Sequence, residues 1–550
     1  MILVFLFSCL IIIFTMPLGF FFTSENNLNL YSYSKATIFG VIFVSFIALL
    51  INFFLPLNIY ISTLIPIISL SIIIIFYKKF INIIFLKLIL IKSILITILL
   101  LESNVYRPDA GLYHLPFTGI LNIEKIIFGI SNLHFRYAHT SILQYFSAIN
   151  NNLIFQNNGI VFAQALIAAS IIVNFLSLLN HYLKKNNFNF HFYFLLFIIL
   201  YISYKMNRYS EYGNDAPSHF LLFFLVSEFL ILKNRNNYLE HINKLILSLF
   251  IVQNKLTLIF IILLNFFNFK KNNFYKLVTN RRFIFLSTFF SLWILKNIFS
   301  SGCALYPITV TCLESLPWVD LDSVKNISIS SEAWTKGWSN LENNNSVDIQ
   351  KFIKELNWIN SWSSVHLKVI IEIISPYLLF SILLIIALSF KSKKNNVKID
   401  KIFYLYFIII VICCITWFIK APLYRYGYSF LISLIAFTFS FIAVKVDYNK
   451  NYHNKIMSFL LILSISIIFI KNIVRINNSP NDYNNYPWPK FYSMDEKNIQ
   501  TEFYSKKIND LEIIYPKKGY CMYIKKICSH YKLDENLKIR YLKNYILIEK

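Results

Sequence analysis

The chain has 550 residues, of which 57% are hydrophobic and only 14% are charged. A soluble globular domain carries about 25% charged residues, and the apolar runs that recur along this sequence approach the roughly 20 residues that a membrane-spanning helix needs. We therefore predict an all-α polytopic membrane protein with about 12–14 transmembrane helices. A β-barrel is excluded, because its strands are short and alternate in hydrophobicity.

The net charge of +25 does not indicate a nucleic-acid partner. Most basic residues lie in short loops between apolar runs, as the positive-inside rule requires of cytoplasmic loops. We predict a multi-pass protein of the inner (cytoplasmic) membrane, with membrane lipid as its surroundings and no nucleic acid bound.

The predicted spans follow from the apolar runs and the charges that flank them. The first run lacks a basic residue before its apolar core and a small-residue cleavage site, so we interpret it as a retained helix and not as a signal peptide. We predict a transmembrane domain over 1–471 and an extracytoplasmic tail over 472–550. The predicted spans are 1–22, 36–55, 58–77, 86–101, 160–180, 189–204, 217–232, 284–299, 368–389, 402–418, 428–446 and 456–471.

One apolar segment, Leu245–Phe269, has basic residues on both flanks, and both flanks favour the cytoplasm. Its middle reads Gln253-Asn254-Lys255. We predict two short helices that form a hairpin, with this polar triplet at the tip inside the protein, where polar groups cost less than in lipid. The alternative is a single membrane span, which would leave one of its two basic flanks on the extracytoplasmic side, against the positive-inside rule.

With this topology the predicted extracytoplasmic loops are 102–159, 205–216, 300–367 and 420–427. In the first loop Glu102, Arg107, Asp109, Tyr113 and His114 follow directly on an apolar run. Charged groups at that depth are costly unless they have partners or a function. We predict Asp109 and Glu102 as catalytic and Arg107, Tyr113 and His114 as substrate-binding. The rest of this loop, up to about Ser141, is predicted to lie along the membrane interface.

The other loops add further candidates for the same site, because a site is made by residues that meet in space. Asp215 caps the helix that begins near Pro217, or else Asp215 or Glu211 faces Asp109, where the two acids share a base role or hold a divalent cation. Arg425 is predicted to bind phosphate in a forked geometry. Lys255 and Lys420 are further candidates, although Lys420 could instead extend to the lipid headgroups.

Five of the eight tryptophans lie between 318 and 362. Tryptophan favours the membrane interface, and its apolar face also suits stacking on a sugar ring. Anchoring is the interpretation that we favour for most of them.

Two cysteine pairs, Cys303/Cys312 and Cys521/Cys528, are close enough in sequence to form local disulfides in an oxidising compartment. The second pair is the stronger prediction. In the tail, a strand is predicted from Leu511, and Tyr545–Ile548 is predicted to pair with it in a small α+β appendage. The alternative is a mobile tail.

Several motifs, taken in order, resemble those of a family of little-characterised bacterial polytopic membrane proteins. They are Asp109-Ala-Gly-Leu-Tyr-His-Leu-Pro116, Glu124-Lys-Ile, Gly129 to His134, Ser301-Gly302 with Tyr306-Pro307, Ala421-Pro422 with Arg425-Tyr-Gly427, and Cys521/Cys528. That family is similar to the GT-C class of glycosyltransferases, which use polyprenyl-phosphate-linked sugar donors. The resemblance maps the acidic motif of that class onto Asp109 and Glu102. The chain departs from the pattern in the spacing of these two acids and in Leu423-Tyr424 before Arg425.

The resemblance implies an inverting transfer of a sugar from a lipid-linked donor to an acceptor on the extracytoplasmic side. Asp109 would be the general base, and Arg425, helped by Arg107 or Lys420, would stabilise the leaving phosphate. A polymerase or ligase of surface polysaccharide is one alternative. A transporter or flippase of lipid-linked sugars is another, although it should show broken helices at matching positions of two repeats. The sugar, the acceptor, the oligomeric state and a need for a divalent cation stay open.

Overall fold

The computed structural model describes residues 1–23, 29–80, 82–101, 109–206, 213, 215–231, 237–268, 278–338, 348–389, 393–394, 399–447, 450–478, 502–509, 511–530 and 532–550. Helices dominate the part up to residue 478. The first of them are α1 Ile2–Gly19, α2 Leu30–Asn52, α3 Ile59–Ile75, α4 Tyr77–Phe80, α5 Ile83–Leu100, α6 Leu115–Ile123, α7 Leu143–Ile149, α8 Phe162–Lys184, α9 Phe190–Lys205, α10 Asp215–Leu230 and α11 Tyr238–Asn254. The later ones are α12 Arg281–Ser301, α13 Leu321–Thr335, α14 Ile349–Lys354, α15 Trp358–Trp362, α16 Lys368–Ser389, α17 Lys401–Lys420, α18 Tyr424–Ala443 and α19 Lys450–Asn477.

Every predicted span coincides with one of these helices, with boundaries that differ by a few residues. Among the described residues, 9 helical stretches are long and apolar enough to cross a membrane, and shorter apolar helices such as α3 and α9 accompany them. The chain is therefore mostly helical and fits the predicted polytopic class.

Asparagine has a recurrent structural role at the helix starts. Its side chain accepts a hydrogen bond from a backbone N–H of the first turn, which satisfies a donor that has no partner within the helix. The many asparagines between the apolar runs thus define where helices begin. The capped helices are α2 by Asn29, α3 by Asn58, α5 by Asn82, α9 by Asn189, α11 by Asn237 and α12 by Asn280.

The predicted hairpin is confirmed. Helix α11 ends at Asn254, Lys255 adopts an extended conformation, and a 3-10 segment, Leu256–Asn268, runs back beside α11. Asn265 Nδ2 donates to Ser248 Oγ at 2.9 Å, which joins the two arms. The first arm is α-helical and the second is a 3-10 helix.

An ion cluster marks the end of the helices opposite the hairpin tip. Lys35 Nζ, which is buried on α2, lies 2.6 Å from Glu228 Oε2 and 2.6 Å from Glu240 Oε2. Glu228 is near the end of α10 and Glu240 is in the first turn of α11. At 1.5 Å per residue, the 13 steps from Asp215 to Glu228 put this cluster about 20 Å from the start of α10. We call the two sides the Lys35 end and the Asp109 end.

The tail folds into two small sheets, and both predicted disulfides, Cys303–Cys312 and Cys521–Cys528, are formed. The predicted pairing of Tyr545–Ile548 with the strand at Leu511 is wrong, because β7 forms a hairpin with β6 through a two-residue turn. The strands are β1 Lys393–Lys394 paired with β2 Val446–Asp447, then β3 Phe503–Ile508, β4 Leu511–Pro516, β5 Ile527–Cys528, β6 Lys538–Leu542 and β7 Tyr545–Glu549.

The tail docks on the first loop and is not a separate appendage. Met522 N donates to Gly111 O at 2.9 Å, and Ser529 Oγ donates to Leu133 O at 2.8 Å. Further along, Phe128 N donates to Ile546 O at 2.9 Å. These contacts begin two residues from Asp109.

The docked tail corrects the expectation that this loop lies along the membrane interface. Residues Leu115–Asn122 of α6 are buried, and so are the apolar side chains of Ile126, Ile127, Ile130 and Leu133. Asn122 Oδ1 accepts a hydrogen bond from Tyr523 OH of the tail at 3.0 Å. The apolar residues of the loop, which the sequence assigned to the headgroup region, therefore pack inside the protein.

Candidate active site

A cavity of about 1420 Å³ opens at the Asp109 end. Its walls include the first loop, the start of α10, the hairpin tip with the 3-10 segment, the end of α12 with the stretch 305–309, α13, and the connection from α17 to α18. These parts are far apart in sequence. Residues of the first loop, of the hairpin and of the α17–α18 connection therefore face one space.

Asp109 is held between two arginines. Its Oδ1 accepts a hydrogen bond from Arg136 Nη1 at 3.1 Å, and its Oδ2 accepts one from Arg425 Nη1 at 2.9 Å. All three side chains are partly buried, with 22% of the Asp109 side chain exposed. Hydrogen bonds between ionised groups are about twice as strong as neutral ones, so this arrangement fixes the carboxylate at the start of the π-helical turn Ala110–His114.

The backbone of Arg425 is fixed from the other side. Its carbonyl oxygen accepts hydrogen bonds from Lys255 Nζ at 2.9 Å and from His219 Nε2 at 2.9 Å. Since Nε2 of His219 must then be the donor, its Nδ1 is the acceptor for Ser429 Oγ at 2.6 Å. The first turn of α18 is therefore anchored to the hairpin tip and to α10.

Lys255 also pairs with Asp215, the first residue of α10. Asp109, Arg425, Lys255 and Asp215 are thus connected on the cavity wall by two ion pairs and by the hydrogen bond from Lys255 to the Arg425 carbonyl. The sequence-based expectation that Asp109, Asp215 and Arg425 line one cavity agrees with this geometry. Asp215 is the first residue of α10, which also agrees with the alternative that it acts at the start of that helix. From this position its carboxylate also pairs with Lys255.

The local charge of this network favours an added anion. Arg136, Arg425 and Lys255 carry three positive charges, while Asp109 and Asp215 carry two negative ones. Because the cluster lies partly out of water, the uncompensated charge acts more strongly than it would on an open surface. The described residues include no group of three or more His, Cys, Asp or Glu side chains that could hold a metal ion.

His114 lies beside Asp109 as a neutral group. Its Nδ1 is 2.7 Å from Gln144 Nε2, which can only donate, so Nε2 of the imidazole carries the proton. Burial lowers the pKa of His114 to about 4, because removal from water disfavours the imidazolium. Tyr113 packs its ring 5.2 Å from the Arg136 guanidinium, and burial raises the pKa of its hydroxyl.

A model of a domain of unknown function, DUF8201, matches residues 1–432. The chain belongs to this family. No curated protein and no solved structure gives a significant match. The matched region contains Asp109, Asp215, Lys255 and Arg425, whereas the disulfide-bonded tail lies beyond it.

The remaining predicted residues divide into two groups. Lys420 lines the cavity, but 70% of its side chain is exposed and its described ion pair is with Glu332 at 3.8 Å, whereas Asp109 pairs with Arg136 and Arg425. Glu102 and Arg107 lie outside the described residues, and so does Glu211 of the second loop.

The sequence alone predicted no role for Arg136, Gln144 or His219. A signal existed for His219, because a histidine inside a predicted membrane span is costly without a partner. Arg136 lies between His134 and His139 in a segment of polar and apolar residues. Nothing in that pattern distinguishes Arg136 from its polar neighbours as a functional residue. Only the folded first loop brings it to Asp109.

Proposed function

We propose that this protein is an integral membrane glycosyltransferase of GT-C type, which transfers a sugar from a polyprenyl-phosphate-linked donor to an acceptor on the extracytoplasmic side. The observation that carries the proposal is the Asp109 carboxylate, bonded by Arg136 and Arg425 in a cavity that can hold a substrate. A base for the acceptor hydroxyl and cations for a leaving phosphate are the groups that this reaction needs.

The walls of the cavity fit a substrate with a polar and an apolar part. The 3-10 arm of the hairpin lines it with Leu256, Ile259, Phe260 and Leu263. The charged network around Asp109 lies at the beginning of this arm, next to Lys255. A lipid chain along the apolar arm would place its phosphate near Arg425 and Lys255. This combination supports a lipid-linked anionic donor.

In the proposed reaction, the oxygen of an acceptor hydroxyl attacks the anomeric carbon of the donor sugar and inverts it. The bond between that carbon and the phosphate oxygen breaks, and its electron pair leaves with the lipid phosphate. Asp109 accepts the proton of the attacking hydroxyl. Arg425 and Arg136 stabilise the charge that grows on the leaving oxygen.

Arg425 and Arg136 can bind either Asp109 or a donor phosphate, so in the proposed mechanism Asp109 is either paired with them or released. Without donor, Arg425 and Arg136 pair with the carboxylate. A donor phosphate competes for the same guanidinium groups, which have further N–H donors in a fixed fork. We propose that donor binding draws Arg425 toward the phosphate and leaves Asp109 available as the base only when the donor is present.

The proposal predicts that Asp109→Asn abolishes transfer while the protein still folds. The assay follows release of labelled sugar from synthetic polyprenyl-phosphate hexoses, with purified protein in nanodiscs and a crude cell-envelope extract as the acceptor source. General-base catalysis is typically worth about 10²–10⁴-fold in rate, so a loss in this range is expected. Glu314→Gln, which changes an exposed acid outside the cavity, is the matched control. Unchanged turnover in Asp109→Asn would reject the assignment.

A further inference from the structure

The part of the cavity wall that α13 forms is polar and aromatic. Helix α13 turns Ser328, Ser331, Glu332 and Thr335 toward the cavity. These positions are spaced i, i+3, i+4 and i+7, so they lie on one face of the helix. One cavity therefore has an apolar wall on the 3-10 arm and a wall of hydroxyl and carboxylate groups on α13.

Trp334 stands beside this polar face with much of its surface uncovered. It is 44% exposed and lines the cavity, and the Arg425 guanidinium lies 5.6 Å from its ring. The same guanidinium bonds Asp109. Arg425 thus contacts both the predicted base and an indole ring that is partly exposed.

Other tryptophans of this loop are used in packing. Trp318, Trp358 and Trp362 are all less than 9% exposed. Trp358 and Trp362 pack against Phe418, and the Trp362 indole N–H donates to Pro422 O at 2.6 Å. Membrane anchoring or core packing accounts for them, but it does not account for an indole that faces the charged network inside a cavity.

Glu332 is held ready to accept hydrogen bonds. Its Oε1 lies 2.7 Å from Lys336 Nζ, and its Oε2 lies 3.8 Å from Lys420 Nζ. An ionised carboxylate has about four acceptor positions, so these two contacts leave capacity for hydroxyl donors. Its side chain is 22% exposed, which leaves it in reach of a ligand in the cavity.

We infer that Trp334 and the polar face of α13 form a carbohydrate subsite that binds the acceptor. This inference rests on the proposed function and adds the class of the acceptor, a sugar with a pyranose ring. The apolar face of the ring would stack on the indole, and its hydroxyls would bond Glu332 and the serines. The hydroxyl that points toward Arg425 would then be the one that Asp109 deprotonates.

The test measures sugar binding directly, without turnover. The full-length protein in nanodiscs is mixed with methyl hexopyranosides and short oligosaccharides, and saturation-transfer NMR records which ring protons contact the protein. Wild-type protein should give signals from C–H protons of the ring. Trp334→Ala should lose them, and Trp334→Phe should keep a reduced signal because the aromatic face remains. Glu332→Gln should weaken binding, whereas Glu314→Gln in the same loop should not.

Each result of this experiment is decisive for the subsite. Signals that persist unchanged in Trp334→Ala, or no signal from any sugar with wild-type protein, overturn the inference. Sugar binding that depends on Trp334 in a protein that shows no transfer would reject the proposed function and keep the carbohydrate site. Equal thermal transitions of all variants in nanodiscs establish that lost signals do not come from unfolding.

Discussion

Arg425 Nη1 lies 2.9 Å from Asp109 Oδ2, although 316 residues separate the two in sequence. This contact joins the first loop to the first turn of α18. The carbonyl of the same arginine is held by Lys255 at the hairpin tip. Arg425 therefore links the predicted base to the hairpin, and its guanidinium is the part of that link that the donor phosphate would displace in the proposed mechanism.

The first prediction concerns the fork of Arg425. Arg425→Lys keeps the charge but loses the planar pair of donors, so the side chain can no longer bind a phosphate in a bidentate, forked geometry. We expect kcat in the polyprenyl-phosphate hexose assay to fall by roughly 10²–10³-fold, which is typical for loss of one stabilising donor. Lys420→Gln, at an exposed position that does not touch Asp109, should change kcat much less. Equal losses in both variants would contradict the role assigned to Arg425.

The second prediction concerns the hairpin tip. Lys255→Met removes the partner of Asp215 and a donor to Arg425 O. Breaking a buried pair costs about 3–5 kcal/mol, but 31% of the Asp215 side chain is exposed, so we expect a smaller loss of stability. The thermal transition in nanodiscs should fall. Adding Asp215→Asn should recover part of the loss, because the unpaired charge is then gone.

A surface pair serves as the control for this experiment. Lys351 Nζ lies 3.7 Å from Glu355, and both side chains are well exposed. Lys351→Met should hardly move the transition, since exposed ion pairs contribute about 0–1 kcal/mol. If the double variant at 255 and 215 is no more stable than Lys255→Met alone, the two side chains are not coupled as described.

The helices and the hairpin could be predicted because their signals are local. An apolar run of membrane length and the charges on its flanks lie within one stretch of sequence, as in Leu245–Phe269. The two disulfides were predictable for the same reason, since Cys303 and Cys312, like Cys521 and Cys528, are close in the chain.

The contacts of Arg136 and of the tail could not be predicted in this way. Arg136 meets Asp109 only because the first loop folds back on itself, and Met522 meets Gly111 across more than four hundred residues. The strand at Tyr545–Ile548 was found, but its partner was assigned wrongly. The two-residue turn Lys543-Asn544 favours the local hairpin with Lys538–Leu542, because a short connection costs little entropy to close.

The third prediction tests the docking of the tail. A Cβ atom at Gly119 would lie 2.0 Å from the carbonyl oxygen of Ile524, so Gly119→Ala must displace the tail backbone. At Gly111 the nearest atoms are the Met522 sulfur at 2.4 Å, in a flexible side chain that can move, and Tyr520 Cβ at 2.9 Å, so the displacement of the tail required there is smaller. We expect limited proteolysis to release the tail faster in Gly119→Ala than in Gly111→Ala. The same rate in both variants and in wild type would show that the tail does not depend on this contact.

The fourth prediction concerns acid stability. Burial holds the pKa of His114 at about 4, below the value near 6.5 of an unfolded chain. The unfolded state therefore binds more protons between these values, and stability rises with pH across this window and is lost as pH falls from about 6.5 to about 4. His114→Gln should flatten the dependence of the thermal transition on pH in this range. His181→Gln, at an exposed position, should leave the slope as it is.

The last prediction concerns which side of the membrane the Asp109 end faces. Lys184 ends α8 at the end opposite Asp109, and Lys445 lies just past the end of α18 on that same side, as the positive-inside rule expects of a cytoplasmic surface. Both disulfides lie toward the Asp109 end, and disulfides persist in oxidising compartments.

Reporter fusions after residues 158, 216, 365 and 475 should therefore give an outer signal, and fusions after 186, 275, 395 and 450 should give a cytoplasmic one. Thiol labelling supplies the independent check. In protein isolated under non-reducing conditions, Cys521 and Cys528 should label only after reduction, since they are bonded to each other. A cytoplasmic signal at 365 together with free labelling of Cys521 would place the cavity on the cytoplasmic side. An extracytoplasmic acceptor would then be ruled out.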